Sequence, residues 1–276
     1  MSDSPIDNGI VLVTGASSGI GLDIARLCAP RAKALVLVAR RKDRLDVLAG
    51  ELRAANPKLD VHTFACDLSK REATEQFIAS VREAGLGIDV LVNNAGLGDM
   101  GVFEQSKLEK QLFLVDVNIA AVIMLTHAFV APMVERGRGA VLMVSSGFGL
   151  SYLPGFATYV GTKHFVTGFT ESLHTELAGS GVHVGQLCPG PVATEFEEVM
   201  GNQTGMKVPG FAELTAVACA REGIRVIDAR RALIVPHILV HLLLWFTART
   251  PRWLTRFFLR LVGKRVRRAR LAKQAA

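Results

Sequence analysis

Cysteine is scarce in this chain. Four occur in 276 residues, at Cys28, Cys66, Cys188 and Cys219, widely separated and without a CxxC pair. That spacing argues against a disulfide framework and against a zinc cluster, and no metal site is expected. Scattered single cysteines fit a reducing compartment, where each acts as a small buried hydrophobe. Charge is also sparse, at 21% against 50% hydrophobic residues, which excludes disorder for most of the length. The 26 glycines and 10 prolines follow no period, so collagen-like and low-complexity classes fall away. No internal repeat and no Ser- or Pro-rich linker divides the chain, and one large domain fits better than two. HExxH and a carboxylate pair at catalytic spacing are absent too.

One further absence is local. Residues 241–276 contain no Asp or Glu but ten basic residues, from Arg249 to Lys273. The formal net charge of +7 therefore divides into +10 on this tail and −3 on the preceding 240 residues, which hold 22 basic and 25 acidic groups. The expected organisation is a catalytic unit over 1–240 and a basic amphipathic extension over 241–276. The acidic, polar start Met1–Asp7 does not read as a secretory signal.

What the chain does have is alternation. Short apolar runs occur at Ile10–Val13, Ala34–Ala39, Val61–Ala65, Ile88–Val92, Ala140–Val144 and Val182–Leu187, and Arg231–Val235 is a candidate seventh. Continuous apolarity over four to six residues is the mark of strands covered on both faces. Longer helical segments, such as Leu108–Arg136 and Pro154–Ala178, lie between them. Strand and helix repeated in this way predict an α/β fold, a Rossmann-like doubly wound parallel sheet of about seven strands followed by C-terminal amphipathic helices. Its ligands belong beyond the carboxyl ends of the strands.

The first strand runs into Thr14-Gly15-Ala16-Ser17-Ser18-Gly19-Ile20-Gly21, a GxxxGxG turn that opens a helix. Gly15 lets the chain leave the strand, Gly19 lets backbone approach a pyrophosphate, and Gly21 lets the helix pack close to the sheet. The helix N-terminus, with Ser17, Ser18 and Ile20 around it, offers unpaired N–H groups to an anion. The missing Gly-Lys-Ser/Thr argues against a nucleotide triphosphatase. After the second strand, Ala39 stands where an NAD site places an acid, and Arg40 and Arg41 follow. A guanidinium suits a ribose 2′-phosphate, so NADP(H) is expected, with Arg40 the better candidate and a solvated helix start the plainer reading.

Tyr159 and Lys163 stand four apart on a helical segment and so share one face. A tyrosine with a reference pKa of about 10 is a poor base, and a nearby ammonium lowers that value. Ser146 lies 13 residues earlier, just past the fifth strand, at the carboxyl end of the sheet. Together with Cys66-Asp67-Leu68, Asn93-Asn94-Ala95-Gly96, Asn118 and Pro189-Gly190, these motifs fall in the order of a known family. Over roughly residues 8–240 the chain resembles the short-chain dehydrogenases/reductases of the YxxxK type.

The resemblance implies roles. Tyr159 exchanges a proton with the carbonyl or alcohol oxygen, and Ser146 hydrogen-bonds the same oxygen. Lys163 depresses the Tyr159 pKa and binds the nicotinamide ribose. Asn118 holds a water that relays protons to Lys163. Asp67 and Leu68 lie at the adenine, although Asp67 also reads as a plain helix cap. Asn94, Ala95 and Gly96 turn after the fourth strand on the adenine-ribose side. Pro189, Gly190, Val192 and Thr194 contact the nicotinamide end. The resemblance also implies a homodimer or homotetramer. His164, beside Lys163, reads as structural.

Glu195–Phe211 mixes Gly201, Gly205 and Gly210 with Phe196, Met200, Met206 and Phe211, and reads as a mobile flap suited to a lipophilic substrate. Lys207 is its lone cation. In the tail, thirteen uncharged residues follow the last strand; as a helix they reach about 20 Å, short of a bilayer core of about 30 Å. A second helix is expected from Thr250-Pro251. It sets Arg252, Arg256, Arg260 and Lys264 on one face and Trp253, Leu254, Phe257, Phe258, Leu261 and Val262 on the other. This pattern fits peripheral membrane contact through 250–270. The plainer reading is a helix packed on the enzyme. No nucleic-acid partner is expected, since no binding fold accompanies the charge.

The resulting expectation is an NADP(H)-dependent oxidoreductase that interconverts a carbonyl and a primary or secondary alcohol on a lipophilic small molecule. Candidate substrates are a 3-oxoacyl thioester, a long-chain ketone or aldehyde, a steroid or a retinoid. The protein is expected to be cytoplasmic, with the inner face of a membrane as a candidate contact. The competing class is a catalytically silent NADP-binding scaffold or sensor at a membrane surface.

Overall fold

The computed structural model describes residues 4–201 and 213–275. Its strands are β1 (Ile10–Thr14), β2 (Ala34–Ala39), β3 (Asp60–Ala65), β4 (Val90–Asn93), β5 (Gly139–Val144), β6 (Val182–Leu187), β7 (Val192–Ala193), β8 (Leu214–Thr215) and β9 (Leu233–Ile234). Seven of them form one parallel sheet in the order β3-β2-β1-β4-β5-β6-β9. This is the expected doubly wound sheet. Strands β2, β4, β5 and β6 are buried at every position, which is why β2 and β5 read as unbroken apolar runs; the polar Asn93 in β4 and His183 and Gln186 in β6 are buried with hydrogen-bond partners.

The helices are α1 (Gly19–Cys28), α2 (Lys42–Ala55), α3 (Arg71–Glu83), α4 (Leu108–Val115), α5 (Ala121–Glu135), α6 (Ala157–Glu176), α7 (Phe196–Met200), α8 (Ala216–Asp228), α9 (Ile238–Arg249) and α10 (Arg252–Ala275). On one face of the sheet α1, α2 and α8 contribute Ile24, Leu45, Leu48, Leu52, Val226 and Ile227 to the core. On the other, α3, α5 and α6 contribute Phe77, Val81, Leu125, Phe129, Met133 and Val166. Each such side chain stabilises the fold by roughly 1.5–3 kcal/mol through burial. The strand order doubles back between β1 and β4, so the crevice at their carboxyl ends is the switch point, the place where open α/β sheets take their ligands.

Three features depart from the sequence expectation. The segment Leu108–Arg136 is not one regular helix, because a π-helical turn over Asp116–Ala120 separates α4 from α5. This stretch, Leu108–Glu135, is long and apolar enough to cross a membrane, but it carries core residues and is half buried. The flap is anchored at both ends, since β7 before it pairs with β8 after it (Val192↔Leu214, Ala193↔Thr215). The tail divides differently too: α9 begins at Ile238 and crosses the 240/241 boundary.

Candidate active site

The turn after β1 takes the shape its glycines allow. Gly15 and Gly19 have φ of +67° and +58°, a left-handed conformation that strains any residue with a Cβ. A Cβ on Gly21 would lie 2.3 Å from Asn94 Nδ2. Ser18, at the head of α1, is extended and makes no side-chain cap bond, and the first turn holds no acid. The α1 N–H groups and the positive end of the helix dipole thus face the crevice. Asn94 fastens the turn: its Nδ2 donates to the Thr14 carbonyl at 2.9 Å. The N–H groups of Asn94 and Ala95 both donate to Thr14 Oγ1 at 3.0 Å. Asn94 therefore shapes the loop with its side chain. Gly15–Gly19 also fits the Gly-x-Ser-x-Gly pattern of hydrolase nucleophiles. However, Ser17 Oγ is bonded to the Arg41 guanidinium, which cannot take its proton.

Beyond β5, the two adjacent serines separate. Ser145 is buried and spends its hydroxyl on the Lys163 carbonyl and on Thr167 Oγ1 at 2.9 Å. Ser146 is half-buried; its Oγ accepts from Phe148 N–H at 3.1 Å and lies against Tyr159. Tyr159 and Lys163 project from one face of α6 and are both buried. Burial pushes the Tyr159 phenol up to about 12, opposed by its hydrogen bond with Ser146. This is opposite to the direction expected from the YxxxK pairing. The reason is geometric: Lys163 Nζ donates to the Val144 carbonyl at 2.9 Å and stands 5.9 Å from the Tyr159 ring centroid. Burial also holds Lys163 down to about 8.

The π-turn delivers Asn118 to the same place. Its Oδ1 accepts from Leu97 N–H at 2.9 Å, and its Nδ2 donates to the Leu97 carbonyl and to Thr162 Oγ1 at 3.0 Å. The expected water-holding amide is thus already clamped to backbone. What it fixes is the strand-end loop around Gly96, where a Cβ would come within 3.4 Å of Lys163 Nζ.

The remaining expected residues differ in their surroundings. Arg40 is exposed, with its guanidinium 5.8 Å from the Phe113 ring centroid. Arg41 instead reaches the glycine loop, donating to Ser18 Oγ at 2.9 Å and Ser17 Oγ at 3.3 Å. Its other nitrogen donates to Glu195 Oε2 at 2.9 Å, and Arg44 bonds the same carboxylate. Asp67 closes a local turn, accepting from Ser69 N–H at 3.1 Å and Ser69 Oγ at 2.7 Å, while Leu68 is buried in the core. Pro189 accepts from Gly147 N–H at 2.7 Å. Gly190 admits α9: a Cβ there would lie 2.8 Å from Val240. Val192 is buried in β7. The Thr194 methyl lies 3.1 Å from where a Gly19 Cβ would stand. His164 bonds the Val160 carbonyl on its own helix.

Around Tyr159 the surroundings are apolar. Met100, Leu114, Phe156 and Met200 form a buried cluster with it, and Phe148 and Phe196 pack against the cluster. The Phe196 ring centroid is 5.7 Å from that of Tyr159. Of the flap residues read as substrate-facing, Phe196 and Met200 are therefore at the site; Gly205, Met206, Lys207, Gly210 and Phe211 lie outside the described residues. Sequence reasoning passed over Thr162, although it stands inside the YxxxK motif, and Glu195, whose partners are over 150 residues away.

A glycine-rich turn at the switch point and a Ser–Tyr–Lys set beyond β5 are the marks of a nicotinamide-dependent oxidoreductase. The chain belongs to the short-chain dehydrogenase family, whose model matches residues 9–205. It is 28% identical over 250 residues to the very-long-chain 3-oxoacyl-CoA reductase of Macaca fascicularis, covering 88% of this chain and 76% of that one. Among solved structures, a short-chain dehydrogenase from Sphingobium yanoikuyae in complex with NADPH matches with a TM-score of 0.77 and 31% identity, over 87% of this chain and 93% of that one. One from Burkholderia phymatum in complex with NAD matches with a TM-score of 0.75 and 25% identity, over 87% and 92%.

Proposed function

We propose that this oxidoreductase is NADP(H)-dependent and reduces the carbonyl of a lipophilic molecule, such as a 3-oxoacyl thioester, a long-chain aldehyde or ketone, a steroid or a retinoid. The observation that carries the reading is a Tyr159 that lies in an apolar cluster and hydrogen-bonds to Ser146. The left-handed glycines and the uncapped α1 terminus fit a dinucleotide diphosphate. Ser17, Ser18 and Arg41 converge as a 2′-phosphate requires, and Arg40, next in the chain and turned to Phe113, is the second candidate cation. Asp67, Leu68, Asn94, Ala95 and Gly96 flank the adenosine side; Pro189, Gly190, Val192 and Thr194 flank the nicotinamide side. A bound nicotinamide supplies the hydride.

The chain's own residues manage the proton. A phenol pushed up to about 12 is protonated at neutral pH and set to donate to a carbonyl oxygen. Ser146 bonds the same oxygen and stabilises its developing charge. Lys163, held by Val144, is placed for ribose hydroxyls; Asn118 is a positioning residue acting through Leu97. The family's habit of pairing subunits supports a homodimer or homotetramer, and the basic tail supports peripheral membrane contact through 250–270. The test is a panel of acyl thioesters, aldehydes and steroids with NADPH. Tyr159→Phe is expected to lower kcat by roughly 10²–10⁴-fold while NADPH binding persists. Unchanged carbonyl reduction by that variant would overturn the assignment.

A further inference from the structure

The tail helices sit at the mouth of the site. Val240 and Leu244, on the inner face of α9, contact Gly147 and Gly190, the residues that follow Ser146 and Pro189. On α10, Gly263 packs against Pro154, and Val266 is buried. Arg267 pairs with Glu104 at 3.0 Å. Between α10 and the body lies a small cavity of about 150 Å³, lined by Gly101, Phe103, Gly155 and Ala157 among others. The chain neighbours of these residues, Met100 and Phe156, belong to the apolar cluster around Tyr159.

The expected division of α10 into one apolar and one basic face is only half right. Leu254 and Val262 are partly covered against the enzyme, whereas Trp253, Phe257, Phe258 and Leu261 remain exposed, Trp253 by 70%. Ten of the nineteen exposed large apolar side chains among the described residues lie on α9 and α10, so the unpaired apolar surface is concentrated there. The Arg249 guanidinium lies 3.9 Å from the Trp245 ring centroid, an aromatic–cation pair at an exposed position.

We propose that α9 and α10 together seat the mouth of the active site on an anionic lipid bilayer, so that a lipophilic substrate passes from the membrane towards Tyr159. This rests on the lipophilic-substrate reading above. Charge selects the occupant: ten basic residues without an acid in 241–276 complement an anionic leaflet, while a second copy of the same surface brings the same charge. Length selects the mode: twelve residues of α9 span about 18 Å, so that helix lies in the interface and does not cross it.

The chain supplies its own probe. Its two tryptophans, Trp245 and Trp253, are both on these exposed faces. The full-length protein is titrated with vesicles of mixed phosphatidylcholine and phosphatidylglycerol carrying brominated acyl chains, and with pure phosphatidylcholine. Tryptophan emission is expected to shift to the blue and be quenched by the mixed vesicles, and far less by the neutral ones. The combined variant Arg256→Gln, Arg260→Gln, Lys264→Gln should bind the mixed vesicles roughly 100-fold more weakly. It should also lose about tenfold in kcat/KM for a bilayer-dissolved ketone, with a water-soluble ketone reduced as before. Emission unmoved by anionic vesicles, or a shift that follows protein concentration without lipid, overturns the proposal. Equal use of the bilayer-dissolved ketone by the variant overturns the route of entry. Reduction of the water-soluble ketone reads the reductase assignment independently of either result.

Discussion

In the body, up to β9, large apolar side chains fill two cores and cations find carboxylates: Arg26 pairs with Glu51, Arg31 with Asp7 and Asp228, and Arg41 with Glu195. In α9 and α10 the large apolar side chains are mostly exposed, and among the described residues of α10 one ion pair forms, Arg267 with Glu104. The same residue types thus serve two solvents. The body is organised around its own interior; the tail buries one narrow face on the enzyme and leaves the other open. The net charge of +7 describes neither part.

The largest stability effect should come from a body cation that is buried without a carboxylate partner. Lys163 is buried with a carbonyl for a partner and is held down to about 8 from an ordinary 10.5. Below pH 8 both folded and unfolded chains carry the proton, and the cost of burying it is fully present. Between 8 and 10.5 the folded chain sheds the proton first, so stability rises with pH by about 3 kcal/mol over that window. Tyr159, pushed up, acts in the opposite sense but only above pH 10, where the unfolded chain ionises first. Lys163→Met should therefore be inactive, more resistant to urea than the parent at pH 7, and flat between pH 8 and 10. Arg260→Met on the exposed tail should move stability by less than about 0.5 kcal/mol at any of these values. Parallel pH curves for parent and Lys163→Met would remove the buried-charge account.

A pair of glycines sharpens the contrast. Gly21→Ala places a Cβ 2.3 Å from Asn94 Nδ2 and 2.6 Å from the Gly15 carbonyl, with backbone on one side to resist it. It should cost roughly 1–3 kcal/mol and weaken NADPH binding. Gly263→Ala meets Pro154 at 3.6 Å, an ordinary contact, and gains helix propensity, so Tm should hold or rise slightly. Thermal melts of the two variants, with and without NADPH, check both directions. Equal losses would mean that α10 is packed as tightly as the body.

These contrasts also mark how far the sequence could be read. The edges of β2 match its apolar run residue for residue, because a parallel strand buried on both faces favours that pattern; β6 has the expected bounds although His183 and Gln186 interrupt its apolar residues. Gly15, Gly19, Tyr159 and Lys163 were legible because local geometry dictates residue type. The π-turn was not, since one extra residue in a helix leaves no periodic trace, and it redirects Asn118 onto the Leu97 backbone. The upward shift of Tyr159 was hidden for another reason: helical spacing places Lys163 nearby but does not reveal that Val144 claims its ammonium. Arg40 and Arg41 are neighbours in sequence, and only the tertiary fold turns one to Phe113 and the other to Ser17 and Ser18.

The smallest expected effect lies where the flap crosses to the cofactor side. Glu195 binds Arg41 and Arg44 at once, and these guanidinium groups hold its carboxyl below the usual range. The Arg41 nitrogen beside Ser17 and Ser18 is the one proposed to meet a 2′-phosphate, so the carboxylate and the phosphate compete for a single cation. Both partners are about 40% exposed, and exposed pairs are weak, which limits the competition to a few-fold. Glu195→Gln should lower KM for NADPH by no more than about fivefold, leave KM for NADH unmoved and leave kcat within a factor of about two. The gain should fade as salt screens the parent's ion pair. An equal change for both cofactors would place Glu195 with the flap's general closure, and a rise in KM for NADPH would show that Arg41 needs its carboxylate partner to stay in position.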